Sequence, residues 1–234
     1  MTNGQILLSI LIPTLNEEKT ILNVLNRISN AIDSSINYEV IVINDGSTDN
    51  TLKLLEQNKN LYNQLITHER NYGKGSAVKK GLEVSQGKYI FFQDADLEYD
   101  PLDINKFIKI INRFKPDLII GSRFNYSEYT RSYNFLNKLG NELITFIFNL
   151  LYNTTFTDIY SCYACFKKDL LDEGNLKTKG FEQHAEILCK VIKKGEKFYE
   201  VPISFNGRTH KEGKKIKWYH IFKVITTIIL GKLK

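Results

Sequence analysis

Residues 6–12 are almost uninterruptedly apolar and stop at Pro13, and residues 38–43 form a second such run that stops at Asn44-Asp45-Gly46-Ser47. Apolar runs of this length without alternation predict strands covered on both faces. Between them Ile21, Leu22, Leu25, Ile28 and Ile32 recur at helical spacing, which predicts a helix over 17–32, and the turn-rich loop at Asn44 leads into a second helix over 48–57. The alternation then continues with a strand over 64–67, a helix over 76–85, a strand over 88–93, a helix over 102–114 and a strand over 117–120. Strands alternating with helices predict an open, mostly parallel α/β sheet flanked by helices, whose ligands bind beyond the carboxyl ends of the strands. After Gly121 the rhythm loosens into a helix over 135–151, a strand over 159–166, a helix over 182–193 and a strand over 197–203.

The last part of the chain changes character again. Residues 207–217 carry Arg208, Lys211, Lys214, Lys215 and Lys217. Beyond them Trp218, Ile221, Phe222, Ile225, Ile228 and Ile229 share one face of a predicted helix, a pattern suited either to an anionic membrane interface or to packing on the core or on a second copy. The expected organisation is one globular domain over 1–215 and an amphipathic helix over 216–234.

Composition narrows the partners. With 234 residues and 42% hydrophobic content the chain buries a full core, and its net charge of +6 suits nucleotide phosphates, lipid phosphates or an anionic membrane rather than nucleic acid. Three cysteines leave an odd thiol in any pairing, and no secretory pattern precedes the first strand, so a reducing, cytoplasmic setting is expected. Cys162 and Cys165 form a C-x-x-C with no second pair to complete a zinc site, and are read as packing residues. No apolar run reaches the roughly 18–20 residues that span a bilayer.

Candidate chemistry gathers where strands end. Asp94 and Asp96 follow the run Tyr89-Ile90-Phe91-Phe92-Gln93 at i and i+2, a spacing that points both carboxylates one way in extended chain. Two like charges held together call for a cation between them, and a hard divalent ion, Mg2+ or Mn2+, suits oxygen ligands. The plainer reading is a polar loop capping the helix after Pro101. The loops at 13–17 and 44–49 belong on the same sheet edge, where carboxylates accept hydrogen bonds from a base N–H or from ribose hydroxyls, while Asn16, Ser47 and Thr48 also serve as turn and cap residues.

Two other enzyme classes fit less well. Gly73-Lys74-Gly75 ahead of a helix, with Asp94 about twenty residues on, suggests a dinucleotide-binding oxidoreductase, yet Val78 occupies the third glycine position and the loop follows the third strand instead of the first. These glycines are read as a tight turn beside a nucleotide. A nucleotidyltransferase would want a glycine-rich, basic loop straight after the first strand, and Pro13-Thr14-Leu15-Asn16-Glu17 is neither.

The segments PTLNE from Pro13, NDGSTDNT from Asn44, NYGKGSAVKKGL from Asn71, FQDADLEYDP from Phe92, GSRF from Gly121, TDIYSCYACFKK from Thr157, GFEQHAEI from Gly180 and EVPISFNGRTHKEGKKI from Glu200 stand in an order that covers nearly the whole chain. Together they resemble the inverting family 2 glycosyltransferases of the GT-A fold, especially the dolichyl-phosphate-mannose synthase-like group. The resemblance implies a Rossmann-like sheet with a C-terminal extension on the acceptor side, a nucleotide-diphosphate sugar as donor, and a polyprenyl or dolichyl phosphate as acceptor. It implies that Pro13, Leu15, Glu17, Asp45, Lys74, Asp94 and Ala95 face the nucleotide sugar. By the same resemblance Asp94, Asp96 and Glu98 serve a divalent metal, and Arg123, Arg208 and Lys214 hold donor and acceptor phosphates. Gln183-His184 departs from the family pattern, as does Ala164-Cys165.

A lipid phosphate is already an anion near pH 7 and needs no general base, whereas a sugar hydroxyl would need one, for which Asp158 and Glu186 are the candidates. A non-catalytic nucleotide-sugar-binding relative is a third reading, against which Asp94, Asp96, Arg208 and Lys214 stand. The setting expected is peripheral, on the cytoplasmic face of a membrane, with a membrane-protein partner or a second copy as further partners.

Overall fold

The computed structural model describes residues 5–125, 129–131, 135–209 and 220–233. Among them, seven strands form one sheet: β1 (Leu8–Thr14), β2 (Tyr38–Asn44), β3 (Gln64–Thr67), β4 (Tyr89–Phe92), β5 (Leu118–Ser122), β6 (Ala164–Lys167) and β7 (Phe198–Pro202). Their order is β3-β2-β1-β4-β6-β5-β7, and every pairing is parallel except those of β6, which runs against both β4 and β5. The seven helices of the described residues are α1 (Ile21–Ala31), α2 (Thr51–Gln57), α3 (Lys74–Val84), α4 (Ile104–Phe114), α5 (Phe135–Tyr152), α6 (Gln183–Lys194) and α7 (His220–Leu233).

The unbroken apolar runs follow from a sheet covered on both faces. Along β1, Leu8, Ile10 and Ile12 enter one core with Val24, Leu25 and Ile28 of α1 and Phe107 and Ile111 of α4, while Leu11 between them enters the other core. That second core holds Ala77, Val78 and Leu82 of α3 and Phe148, Leu188, Val224 and Ile228 of α5, α6 and α7. With successive side chains pointing to opposite faces, a polar residue at either parity would be buried.

Most boundaries differ from the sequence reading by one or two residues, and three element starts differ by three or more, each for a local reason. Helix α2 starts at Thr51 rather than 48, because Thr48 donates its N–H to Asn16 Oδ1 at 2.8 Å and the Asn16 N–H goes to Ser47 Oγ at 3.0 Å. Helix α1 starts at Ile21 rather than 17, since Glu17 and Thr20 turn their side chains toward neighbouring loops. The strand expected over 159–166 is reduced to β6, its earlier residues forming a loop that crosses the sheet edge. Helix α7 packs on α5 and α6 through Val224 and Ile228, so its inner face is part of the domain core. Among the described residues no helix is long and apolar enough to cross a membrane.

Candidate active site

Strand β1 lies between β2 and β4, so the chain moves outward in both directions from it and the loops leaving β1, β2 and β4 part at a crevice. A cleft of about 790 Å3 opens there. Pro13, Leu15 and Glu17 come to it from β1, Asp45 from β2, Lys74 from the start of α3, and Asp94, Ala95, Asp96 and Glu98 from β4. Arg123 and Arg208 close its side.

The acidic loop is held from beneath. Gln93, fully buried, accepts from the Tyr163 hydroxyl at 2.7 Å and donates to Asp94 O at 2.9 Å, which fixes the end of β4. Thr20 Oγ1 donates to Ala95 O at 2.7 Å, and Asp96 Oδ1 accepts from Glu98 N at 3.1 Å. Leu97 between them has φ of 60°, a left-handed conformation that disfavours a leucine by on the order of 1–3 kcal/mol and that the surrounding hydrogen bonds hold in place.

Basic side chains ring these acids. Lys74 Nζ lies 2.5 Å from Asp94 Oδ1, and Arg208 reaches Asp96 Oδ2 at 2.9 Å and Glu17 Oε2 at 3.2 Å. Glu98 does different work: it accepts the Arg208 N–H at 2.7 Å and its own carbonyl accepts the Asn206 N–H, tying the 206–208 segment to the acidic loop. Burial raises the pKa of Asp94, but Lys74 outweighs it and holds the carboxyl below its ordinary value. Asp96 is the opposite case: burial and the charges of Asp94 and Glu98 push it up to about 7, against the pull of Arg208. An all-oxygen donor set with more negative charge than its two cations relieve fits a hard divalent ion. Among the described residues no three acidic, histidine or cysteine side chains form a ready cage, so Asp94 and Asp96 could hold such an ion only with oxygens from elsewhere completing its shell.

Asp45 lines the cleft, yet its carboxylate also builds the wall, accepting from Tyr72 N at 3.0 Å and Gly73 N at 2.9 Å and contacting His68 Nδ1 at 2.7 Å. Gly73 has φ of +98°, and a Cβ on Gly73 or Gly75 would stand 2.6 Å from the Lys179 backbone. The glycines therefore allow α3 to start against the 179–180 segment, besides bordering the cleft.

The two base candidates are corrected by their partners. Asp158, fully buried, is gripped by Arg123 through Nε at 2.7 Å and Nη2 at 2.8 Å, and also accepts the Arg123 N–H. Burial alone would lower the Arg123 pKa, and the Asp158 carboxylate more than reverses it, so the guanidinium stays charged. Glu186 accepts from Lys177 N, Thr178 N and the Thr178 hydroxyl; burial raises its pKa, but these bonds prevail and hold it below the usual carboxylate range. Neither residue lines the cleft, and both carboxylates are already engaged by these partners. Lys214 and Trp218 lie outside the described residues.

Part of the cleft was assigned no role from the sequence. Tyr99, Tyr160 and Cys162 form its floor, Gln183 and His184 its back wall, and Leu136, Gly140 and Ile144 of α5 with Ile221 of α7 an apolar end. Cys162 is thus more than a packing residue: its Sγ lies 3.9 Å from Lys74 Nζ. Cys165, by contrast, is buried in β6. Residues of α5 carry only helical periodicity, which does not tell a core face from a cleft wall.

Residues 9–174 match the model of glycosyl transferase family 2. The chain is 30% identical over 223 residues to a dolichol-phosphate mannosyltransferase of Pyrococcus furiosus, covering 94% of this chain and 62% of the relative. It is 27% identical over 218 residues to the low-salt glycan biosynthesis hexosyltransferase Agl6 of Haloferax volcanii, covering 92% and 52%. The chain therefore spans between half and two thirds of the length of these relatives. Among solved structures, glucosyl-3-phosphoglycerate synthase from Mycobacterium tuberculosis in complex with Mn2+, UDP and phosphoglyceric acid superposes with a TM-score of 0.73 at 20% identity, over 97% of this chain and 78% of that one. S. aureus TarS in complex with UDP-GlcNAc follows with a TM-score of 0.63 at 19% identity, over 96% and 66%. At these identities the likeness speaks for the fold, which is GT-A.

Proposed function

The chain belongs to glycosyl transferase family 2, and from that premise we propose that it is of the dolichyl-phosphate-mannose synthase-like group and transfers a hexosyl group from a UDP- or GDP-linked donor to a polyprenyl or dolichyl phosphate, with inversion and with Mg2+ or Mn2+. The observation that carries this reading is the shape of one cleft, acidic and ringed by cations where β1 and β4 part, apolar where α5 meets α7. The likeness to the dolichol-phosphate mannosyltransferase of Pyrococcus furiosus supports the lipid phosphate, and the Mn2+ and UDP bound by the mycobacterial enzyme support the donor and metal.

In this reading Pro13, Leu15, Glu17 and Asp45 receive the nucleoside, Lys74 and Ala95 border the diphosphate, and Asp94 and Asp96 hold the metal. A bound divalent ion supplies positive charge to the diphosphate as it leaves. Glu98 is assigned to the Arg208 segment, since both its carboxylate and its carbonyl are engaged there. Arg123, oriented by Asp158, and Arg208, shared among Glu17, Asp96 and Glu98, position the acceptor phosphate, a role that the family resemblance gives Lys214 as well. That phosphate is an anion at neutral pH, so attack needs placement and charge stabilisation without proton removal. The engagement of Asp158 and Glu186 supports the same choice, because a hydroxyl acceptor would require a base.

The outward faces of α5 and α7 complete the picture. Phe135, Leu136, Leu139, Phe146 and Leu150 on α5, with Phe222, Leu230 and Leu233 on α7, are exposed, and the sequence between 207 and 217 carries Arg208, Lys211, Lys214, Lys215 and Lys217. Such a face seats the protein on the cytoplasmic side of an anionic membrane, where the tail of the lipid acceptor leaves the apolar end of the cleft. The test is to incubate the protein with polyprenyl phosphate in detergent, Mg2+ or Mn2+, and a panel of UDP- and GDP-sugars. A glycolipid heavier by one hexosyl unit is expected with one donor, and its absence with every donor would reject the proposal.

A further inference from the structure

Two acceptor atoms in the back wall of the cleft have no donor. Gln183 and His184 open α6, and both line the cleft. Gln183 is 2% exposed and donates Nε2 to Thr178 O at 3.1 Å, which fixes the amide and leaves Oε1 buried without a partner. The ring of His184 donates to the backbone carbonyl of Ile159, and because Nε2 is buried without a partner the donor is Nδ1. With the proton held at Nδ1, Nε2 presents a lone pair. Burial, aided by the charge of Lys74, holds the ring down at about 4, so it is neutral at pH 7. Phe92 and Tyr160 flank it at ring-centre distances of 6.2 and 6.1 Å and set its orientation.

A buried acceptor without a donor is unfavourable, and two in succession on a ligand-facing wall point to a ligand that brings donors. A phosphate brings only acceptors, and a lipid chain brings neither. A cation is disfavoured by the Lys74 ammonium, close enough to depress the His184 pKa. Hydroxyl groups remain. The hexose of a sugar nucleotide is joined to its diphosphate, so with the diphosphate at Asp94 and Asp96 the sugar lies beside Asp94 and Lys74, the two charges His184 senses most strongly. The nucleoside belongs at Pro13 and Asp45, which come to the cleft from the ends of β1 and β2.

We propose that Gln183 Oε1 and His184 Nε2 accept hydrogen bonds from hydroxyls of the transferred hexose and thereby select which sugar nucleotide the protein takes. The inference rests on the sugar-transfer reading above. It places specificity in residues that the family resemblance left as a departure.

Calorimetric titration with Mn2+ present tests it, using UDP, UDP-glucose, GDP and GDP-mannose as probes. His184→Phe, which keeps a ring but no acceptor, and Gln183→Met should each weaken the bound sugar nucleotide by about tenfold while changing the matching nucleoside diphosphate by less than about twofold. One monodeoxy analogue of the preferred donor should bind the wild-type protein about tenfold more weakly and lose nothing further in His184→Phe. Equal losses for diphosphate and sugar nucleotide, or none for either, would overturn the proposal, as would a deoxy series whose losses simply add to that of the variant. If His184→Phe does not melt cooperatively, Gln183→Met and the wild-type deoxy series carry the test. Failure of the wild-type protein to bind any nucleotide would instead overturn the sugar-transfer reading, and this inference with it.

Discussion

At Asp96, burial and the carboxylates of Asp94 and Glu98 push the pKa up to about 7, and Arg208 at 2.9 Å pulls it back only in part. A carboxyl whose folded pKa exceeds its ordinary 3.8 binds its proton more tightly in the folded state, so its contribution to stability falls as pH rises from about 4 through 7. Asp96→Asn should therefore leave the metal-free protein as stable as the wild type at pH 8, or more so, and flatten this part of the pH profile in thermal melts. Under the proposed function, transfer activity should fall by roughly 100-fold or more, because the lost charge is one that would hold the divalent metal. Asp158→Ala works in the other direction: it strands the buried Arg123 guanidinium and should destabilise the protein by about 3–5 kcal/mol in urea melts. The acids at 94 and 96 were legible in the sequence because polar residues end an apolar run there. The pairing of Arg123 with Asp158, 35 positions apart, was not, and a lone buried carboxylate reads in sequence like a catalytic one.

Elements were read well where periodicity is strong and poorly where a loop supplies the order. The parallel half, from β1 to β5, follows the apolar runs within a few residues. Strand β6 is short and antiparallel, and the 153–163 segment before it is held by side chains from elsewhere in the chain, such as the Glu200 carboxylate, which accepts the backbone N–H groups of Thr157 and Asp158. One such tie has a measurable pH signature. Asp117 at the start of β5 feels burial, which raises its pKa, but the amides of Glu196 and Lys197 and the Lys167 ammonium outweigh it and bring it to about 2. With the folded pKa below 3.8, its contribution is complete above about 4 and is lost as pH falls through 2. Asp117→Asn should be less stable than the wild type by about 1–2 kcal/mol at pH 7 and should converge with it near pH 2, as read by urea denaturation. The exposed apolar faces of α5 and α7 make a second element-scale prediction: Leu139→Glu with Phe222→Glu should reduce recovery on floated anionic liposomes severalfold while neither changes nucleotide binding. Equal recovery would assign that face to a membrane-protein partner or a second copy instead.

For the molecule as a whole, the fold and the polar end of the cleft could be read from sequence because both are written in short segments at strand ends. The apolar end could not, since it arises where α5 and α7 come together late in the chain and exposes to a ligand the same kinds of residue that elsewhere fill the core, and Gln183 and His184 of the back wall stood out in sequence only as a departure from the family pattern. The joining of these two ends is what distinguishes a lipid-phosphate acceptor from a sugar hydroxyl. The direct test pairs polyprenyl phosphate with the same polyprenol lacking its phosphate, each with the preferred sugar nucleotide and divalent metal, and follows glycolipid by mass. Product from the phosphate alone, with the sugar inverted at its anomeric carbon, is the result expected; equal product from the polyprenol, or transfer only to a saccharide, would contradict the account.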